Sequence, residues 1–413
     1  MDKQKNIPVL RFPEFSEDWE SKKLGELLEF KNGINASKEQ YGRGVKFINV
    51  LDILNNEFIT YDSIIGSVDV DANTAKKYPV NYGDILFQRS SETREEVGSA
   101  CVYLDKEKTA TFGGFVIRGR KNGEYNPVFL NKLLKTDLSR NEITARSGGS
   151  TRYNVGQEIL SSISLLFPKI FEQDKIATFL SSIDEKLQAL KKKKSLLEQY
   201  KKGVMQKIFS QEIRFKDENG EGFPDWKEKK LGDIALVKSG LSKDQNDNYL
   251  GYKVTRIETI SESIINLNKV GFVETTSDIE DYKLNIGDIL FSNINSVSHI
   301  GKTAIVKEDI NLYHGMNLLC LRSNGLIIPM FLFYFLNLDK LRNYFKSICN
   351  QAVSQASINQ TELSKTPLML PKLEEQTKIA NFLSAIDEKI SHCQTQIEKT
   401  DQYKKGLLQQ MFC

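Results

Sequence analysis

Four short polar stretches contain the residue types that could do chemistry in this sequence, and that chemistry is hydrogen bonding to a nucleic acid. They lie at 88–94 and 146–154 in the first half of the chain, and at 292–299 and 350–357 in the second. Arg matches guanine, and Asn or Gln matches adenine, in the major groove, while Ser, Thr and Gly permit close approach to phosphate. A solvated loop without a ligand is the alternative for each stretch. The predicted DNA-contacting residues are Gln88, Arg89, Arg94, Arg146, Ser150, Thr151, Arg152, Asn293, Asn295, Asn350, Gln351 and Gln355.

Residues for catalysis or metal binding do not come together in the sequence. The three histidines, His299, His314 and His392, are not at metal-ligand spacing, and no G-x-S-x-G or H-E-x-x-H motif occurs. Gly301-Lys-Thr303 lacks the upstream glycine of a phosphate-binding loop. We therefore expect no catalytic residue, no metal site and no cofactor on this chain.

The elements that must position the polar stretches occur twice along the chain. Residues 171–209 and 374–412 are identical at 19 of 39 positions, and Gly83-Asp-Ile-Leu-Phe87 recurs as Gly287-Asp-Ile-Leu-Phe291. Residues 1–209 contain 33 basic and 28 acidic residues, and residues 210–413 contain 24 and 26, so the repeated scaffold has diverged in charge. The predicted division is a first module at 1–167, a helix at 168–209, a second module at 210–370 and a helix at 371–413.

Each repeated segment has the apolar spacing of a long helix with a coiled-coil seam, in steps of three, four and seven residues. At about 37 residues, each helix is roughly 55 Å long. Because the second module leaves one helix and enters the other, we expect the helices to pair antiparallel, with Ile176 near Leu407, Leu190 near Cys393 and Val204 near Ile379. The seam residues are Ile176, Leu180, Ile183, Leu187, Leu190, Leu197, Val204, Ile379, Leu383, Ile386, Ile390, Cys393, Ile397 and Leu407.

Two features of these helices are open to two interpretations each. Gly203 and Gly406 mark either a close approach of the helices or a fraying last turn, at a cost of about 1 kcal/mol each relative to Ala. The run Lys191–Lys194 is either a phosphate contact or a solvated helix face.

Local sequence signals predict both strands and helices in each module. The Gly-Asp-Ile-Leu-Phe blocks predict a turn entering a buried strand, and 97–104 and 111–118 predict further strands. Asn126-Pro127 and Pro329 open predicted helices at 128–138 and 330–345. The predicted fold is α+β: two mixed modules separated by a pair of long antiparallel coiled-coil helices, with an internal pseudo-twofold repeat.

Composition excludes several classes of protein. The 413 residues suffice for two or three domains, and a net charge of +3 is too small for a histone-like DNA binder. The sequence has no uncharged apolar run of 18 residues and no apolar stretch at its start, so we expect neither a membrane span nor a signal peptide. Five Cys without a C-x-x-C pair predict a reducing, cytoplasmic location.

At this point the residues resemble a known family. Two motifs carry the resemblance: Leu370-Pro-Lys-Leu-Glu-Glu-Gln-Thr-Lys-Ile-Ala-Asn-Phe-Leu-Ser-Ala-Ile-Asp-Glu-Lys389 and Phe167-Pro-Lys-Ile-Phe-Glu-Gln-Asp-Lys-Ile-Ala-Thr-Phe-Leu-Ser-Ser-Ile-Asp-Glu-Lys186. Together with Trp19…Leu24-Gly25 and Trp226…Leu231-Gly232, they are similar to motifs of the specificity subunit of type I restriction-modification systems. The resemblance covers essentially the whole chain.

The resemblance implies a division of labour. Each module is a target recognition domain for one half of a bipartite, asymmetric site in double-stranded DNA. The helices set the spacer and dock two methyltransferase subunits, and two restriction-translocase subunits join them in the cytoplasm of a bacterium. S-adenosylmethionine, ATP and magnesium belong to those partners, so this chain is not itself an enzyme. The alternative is a coiled-coil adaptor that presents two protein-binding modules and does not bind DNA.

Overall fold

The computed structural model describes residues 7–149, 151–261, 263–351 and 356–413. The chain forms two compact units. The first unit contains the residues up to Lys191 together with Thr395–Cys413, and the second contains Lys192–Gln394. Each unit therefore includes one globular module and a part of both long helices. The four-segment division of the sequence stays a prediction.

The first unit surrounds a four-stranded antiparallel sheet in the order β2-β9-β5-β7. All four residues of β5 are buried, and the turn before it places Gly83 at φ +87°, as the Gly-Asp-Ile-Leu-Phe pattern predicts. Its elements are β1 (Glu20–Lys23), α1 (Leu24–Leu27), β2 (Leu28–Asn32), β3 (Tyr41–Ile48), α2 (Val50–Leu54), β4 (Ser67–Val68), α3 (Ala72–Lys77), β5 (Ile85–Gln88), β6 (Ser90–Ser91), β7 (Ala100–Val102), β8 (Thr111–Phe112), β9 (Val116–Lys121), α4 (Pro127–Leu133), α5 (Asp137–Ala145), β10 (Tyr153–Asn154), α6 (Gln157–Ser162), β11 (Ser164–Phe167) and the long helix α7 (Ile170–Phe209).

The second unit repeats this plan with the sheet order β13-β19-β16-β18. Gly287 takes the same positive φ, +92°, before the buried strand β16. Its elements are β12 (Lys227–Lys230), α8 (Leu231–Ile234), β13 (Ala235–Ser239), β14 (Tyr252–Thr255), β15 (Val270–Val273), β16 (Ile289–Phe291), β17 (Ile294–Asn295), β18 (Thr303–Ile305), β19 (Leu319–Ser323), α9 (Pro329–Leu336), α10 (Asp339–Ile348), β20 (Asn350–Gln351), β21 (Ala356–Ser357), α11 (Gln360–Ser364), β22 (Pro367–Leu370) and the long helix α12 (Leu373–Gln410).

The long helices run antiparallel, as predicted, and the contacts inside the first unit show the direction. The Trp19 indole nitrogen donates to Glu172 near the start of α7 at 3.4 Å, and its ring packs against Phe412 just beyond the end of α12. About three turns along, Lys404 of α12 pairs with Asp184 of α7 at 2.7 Å. Residue numbers therefore rise along one helix where they fall along the other.

The second unit repeats these contacts with the helices exchanged. Trp226 donates to Glu375 near the start of α12 at 3.0 Å and packs against Phe209 at the end of α7. Lys201 of α7 pairs with Asp387 of α12 at 2.6 Å. Lys201 and Lys404 occupy the same position of the repeated segment, so the duplication supplies the same ion pair twice.

The seam positions are apolar at the places where the helices pack. Ile176, Leu180 and Ile183 share the core of the first unit with Leu407, and Val204 packs against the core of the second unit, which contains Ile379. Nine of the seam residues are buried, and the remaining five are half-buried: Leu190, Leu197, Val204, Ile390 and Ile397. None of the described helices is long and apolar enough to cross a membrane.

Each helix predicted inside a module is broken in two. The first ends at Leu133 because Thr136 accepts a hydrogen bond from the Ser139 amide at 3.3 Å and caps a new helix, α5. The second ends at Leu336, where the Asn337 amide group donates to Thr303 of β18 at 2.7 Å. Polar side chains thus end both helices where an apolar run predicts continuation.

Gly203 and Gly406 do not mark a close approach of the helices. A Cβ placed on either one meets no atom of the described residues within 4 Å. Gly203→Ala and Gly406→Ala are each expected to raise the free energy of unfolding by about 1 kcal/mol, because Ala is the better helix former and has room. Denaturant unfolding checks this, and a destabilised variant would contradict it.

Lys191–Lys193 are exposed, and Lys194 is half-buried with its ammonium group 3.5 Å from Glu198. Exposed ammonium groups fit a solvated helix face and a phosphate contact equally, so both interpretations of this run stay open.

Candidate nucleic-acid interface

The two polar stretches of the first module come together in space. Strands β6 and β10 pair antiparallel, with Ser91 opposite Tyr153 and Ser90 opposite Asn154. The Val155 amide donates to the Arg89 carbonyl at 3.0 Å, immediately beyond the end of β5. Two stretches more than 50 residues apart in the sequence therefore form one surface at the edge of the central sheet.

The second module brings its own two stretches together in the same way. Strand β21 lies between β17 and β20, with Ser357 opposite both Ile294 and Asn350. The Ile358 amide donates to the Asn293 carbonyl at 2.8 Å, which repeats the bond between Val155 and Arg89. The two modules thus build the same paired-loop surface from different residues.

In the first module, the predicted arginines lie at the surface and are held by local contacts. Arg89 donates to the Gly114 carbonyl at 3.4 Å, and Arg94 donates to the Thr144 carbonyl at 3.2 Å. Arg146 pairs with Glu142 and donates to the Ser162 hydroxyl at 3.1 Å. Arg152 lies 3.6 Å from Glu92, and Thr151 is exposed. These weak, exposed contacts leave the guanidinium groups accessible to a ligand.

Two of the predicted contact residues are buried. Gln88 is 3% exposed and donates to the Ser90 carbonyl at 3.1 Å, and Asn293 is 9% exposed and donates to the Ile358 carbonyl at 3.3 Å. The side-chain oxygen of each accepts no hydrogen bond from the described residues. Each side chain thus helps to hold the paired loops together, and its contact with DNA stays a prediction.

The remaining predicted residues lie in different surroundings. Asn295 is half-buried, and its side chain bridges the Ser292 hydroxyl at 3.3 Å and the Ser296 amide at 2.8 Å. Asn350 is exposed on β20, and Gln351 is placed on the same strand by its backbone. Ser150 and Gln355 lie outside the described residues.

Sequence reasoning missed a turn that belongs to this surface. The strand predicted at 111–118 is wrong as one element, because Gly113-Gly114-Phe115 forms a turn between β8 and β9. The Arg89 amide donates to the Phe115 carbonyl at 2.9 Å, which joins the turn to the paired loops. The Gly-Gly dipeptide is the signal that could have shown it.

A buried charge network supports the first module on the long helices. Lys132 of α4 is 2% exposed and pairs with both Asp184 of α7 and Glu57, and Lys404 of α12 also reaches both carboxylates, at 2.7 and 3.0 Å. Burial opposes ionisation of Glu57, but the charges of Lys135, Lys132 and Lys404 outweigh it and lower its pKa far below the usual value. Glu57 is therefore ionised at neutral pH.

In the second unit the matching contact is uncharged on the module side. The Tyr334 hydroxyl of α9 donates to Asp387 at 2.7 Å, in the place that Lys132 takes in the first unit. Lys201 pairs with the same carboxylate. Each module therefore meets the helix pair with its own chemistry.

Groups that could hold a metal are not found within the described ranges, which omit residues 1–6, 150, 262 and 352–355. Burial lowers the pKa of His314 to about 4. Its neutral ring therefore donates from Nε2 to the Leu318 carbonyl at 3.0 Å. That histidine supports the fold of the second module.

Comparisons of the sequence with known proteins all identify the same family. Residues 16–199 and 224–400 each match the family model described as the type I restriction modification DNA specificity domain. The putative type I restriction enzyme MjaX specificity subunit of Methanocaldococcus jannaschii is 45% identical over 214 residues, which are 51% of this chain and 50% of that protein. The chain therefore spans about half the length of that relative. The EcoKI specificity subunit of Escherichia coli K12 is 24% identical over 84% of this chain and 76% of its own length.

Solved structures agree on the fold. The S subunit of a type I restriction-modification system from M. genitalium superposes with a TM-score of 0.59 and 17% identity, covering 98% of this chain and 99% of that one. A chain from a study of type I restriction-modification complex assembly and conformational transition gives 0.58 and 16%, with 94% and 96% covered.

Proposed function

The chain belongs to the type I restriction-modification DNA specificity family, and from this premise we propose that each of its modules reads one half of a bipartite, asymmetric site in double-stranded DNA. The observation that carries the proposal is the repeated paired-loop surface. Both modules close it with the same backbone bond, from Val155 to Arg89 and from Ile358 to Asn293, yet they present different exposed side chains. Two readers on one scaffold suit a site whose halves differ in sequence.

The long helices have a proposed role of their own. They set the spacer between the half-sites and dock two methyltransferase subunits, through which two restriction-translocase subunits join the complex. Helix α7 has 40 residues and α12 has 38, or roughly 60 Å of continuous helix each. That length supports a spacer, since successive major-groove sites on one face of DNA lie about 34–36 Å apart.

Specificity subunits of this family are non-catalytic, and the chemistry is proposed to reside in the partners. They would supply S-adenosylmethionine, ATP and magnesium, in the cytoplasm of a bacterium. A net charge of +3 is small for tight binding to duplex DNA, because phosphate neutralisation provides much of the affinity. Methyltransferase subunits that surround the DNA would add the missing positive surface.

Exchange of one module tests the proposal. Replacement of residues 20–167 by the corresponding module of another family member is expected to change one half-site and leave the other half-site and the gap unchanged. Methylation sites are mapped across the genome of cells that express the chain with its methyltransferase partner. The unmodified chain, expressed identically, is the control.

The same experiment separates the alternatives. A change in both half-sites, or in neither, would contradict the assignment of one half-site to each module. Absence of any bipartite methylation motif with the unmodified chain, together with no mobility shift of genomic DNA fragments by the complex, would favour the coiled-coil adaptor that binds only proteins.

A further inference from the structure

Each module carries the same short turn at the end of its central strand pair. In the first module the turn is residues 113–116, and in the second it is residues 315–318. Ile34 forms a parallel bridge with Gly113, and Leu241 forms the same bridge with Gly315. The Ile34 amide donates to the Phe112 carbonyl at 2.9 Å, and the Leu241 amide donates to the His314 carbonyl at 2.8 Å. The duplication has thus preserved the turn, although the modules share little sequence.

Glycines hold both turns in a fixed position. A Cβ on Gly33 would lie 2.1 Å from the Gly113 carbonyl oxygen, and a Cβ on Gly240 would lie 1.9 Å from the Gly315 carbonyl oxygen. No side chain fits at such distances, so the backbones are in direct contact. The residue at the tip of each turn therefore has a set position relative to the sheet.

The residues at the tips of the two turns differ, although the backbone bonds that hold the turns are the same. Phe115 is 64% exposed at the tip of the first turn, and Asn317 is exposed at the tip of the second, with φ +69°. The sheet register, extended by one residue past Gln88↔Val116, places Phe115 opposite Arg89, and the Arg89 amide donates to the Phe115 carbonyl at 2.9 Å. Asn317 takes the equivalent place in the second turn, two residues before Leu319, which pairs with Phe291. The first tip therefore lies beside its paired-loop surface, and the second tip takes the matching position in its module.

The chemistry of the two tips suits base edges. A Phe side chain has no donor for a phosphate, and to the groove edge of a stacked duplex its ring offers apolar contact. In the major groove the thymine methyl group is the apolar feature that such a residue reads, and Asn pairs with the N6 and N7 atoms of adenine. A phosphate-binding role would fit Asn317 but not Phe115, whereas base contact fits both.

Resting on the proposed function, we propose that Phe115 and Asn317 are specificity-determining residues of their modules. Phe115 contacts the methyl group of a thymine in the first half-site, and Asn317 hydrogen-bonds to an adenine in the second half-site. The two turns then add a third reading element to each pair of loops, at equivalent positions and with opposite chemistry.

The test uses the complex with its methyltransferase partner and a library of duplexes with randomised half-sites. Phe115→Ala is expected to reduce the preference for thymine at one position of one half-site by roughly fourfold, the effect of burying one methyl group, with the other half-site unchanged. Asn317→Gly is expected to reduce the preference for adenine at one position of the other half-site by roughly fivefold to 100-fold, the effect of one bidentate pair. Glycine tolerates the positive φ of Asn317, so this variant removes the amide without straining the backbone.

A matched control removes a comparable exposed ring away from the turn. Tyr82 is 41% exposed in the turn before β5, at the opposite end of that strand from Arg89, and Tyr82→Ala is expected to leave both half-sites unchanged. Melting temperatures of all three variants establish that each is folded.

Three outcomes would overturn the inference. Unchanged base preferences in both tip variants would exclude base contact at these positions. Equal weakening of binding to all sequences would indicate contact with the DNA backbone. Loss of methyltransferase binding by Phe115→Ala would show that the ring meets a protein. Failure of the unmodified complex to select any bipartite site would instead refute the proposed function, so the two failures are distinguishable.

Discussion

Replacement of Glu375 by alanine is expected to lower the free energy of unfolding of the second unit by about 3–5 kcal/mol, the usual cost of breaking a buried ion pair. The carboxylate is fully buried and accepts two hydrogen bonds from Arg214, at 3.1 and 2.8 Å, and one from the Trp226 indole at 3.0 Å. Without it, the Trp226 indole N–H loses its partner, and the Arg214 guanidinium group loses both of its bonds to the buried carboxylate. Denaturant unfolding followed by circular dichroism measures the loss.

The neighbouring glutamate provides the control. Glu374 lies in the same turn of α12 but is exposed, so Glu374→Ala is expected to change the free energy of unfolding by no more than about 0.5 kcal/mol. Equal stability of the two variants would contradict the importance given to the buried carboxylate. The first unit repeats the arrangement, with Glu172 bound by Arg11 at 2.7 Å through both oxygens.

The second large effect is expected at Glu57, and it depends on pH. Glu57→Gln is expected to lower the free energy of unfolding of the first unit by about 2 kcal/mol at pH 7, since hydrogen bonds to charged groups contribute about 1.5–3 kcal/mol. The substitution removes one of the two carboxylates that face Lys132 and Lys404. The pKa of Glu57 is lowered by folding, so its contribution is complete above the usual glutamate pKa and is lost as the pH falls below it.

Comparison across pH isolates this contribution. The difference in free energy of unfolding between the unmodified chain and Glu57→Gln should shrink steadily below about pH 4.3. Glu107→Gln, at an exposed position of the same unit, should show a small difference at every pH. A difference for Glu57→Gln that does not vary with pH would mean that packing, not charge, accounts for the effect.

Periodic and repeated features were predictable from the sequence. The pairing of the long helices follows from an apolar seam present twice, because a narrow stripe on a long helix needs a partner. Their antiparallel direction follows from the second module, which leaves one helix and enters the other. The cap at Asn126 was also predictable, and its side chain accepts from the amides of Val128 and Phe129 as expected. The seam of each helix and the cap at Asn126 are patterns of residues that lie close together in the chain.

Features that depend on contacts between distant residues were not predictable. Thr136 and Asn337 end helices because of the partners they meet, and the apolar pattern around them does not change. By residue type alone, Gln88 and Arg89 are equally suited to contact a base. Only the three-dimensional structure shows that Gln88 is buried. Lysine is rarely buried unless it is paired, and no residue near Lys132 in the chain shows that Asp184 and Glu57 lie beside it.

The first unit is built from two segments that are far apart in the chain, and this determines when it can be completed. It needs residues 395–413, and the ribosome reaches them only after it has made all of the second unit. Until then, the emerging first module lacks Lys404 beside Asp184 and Phe412 beside Trp19. A premature stop codon before residue 395 would therefore damage the module that was synthesised first.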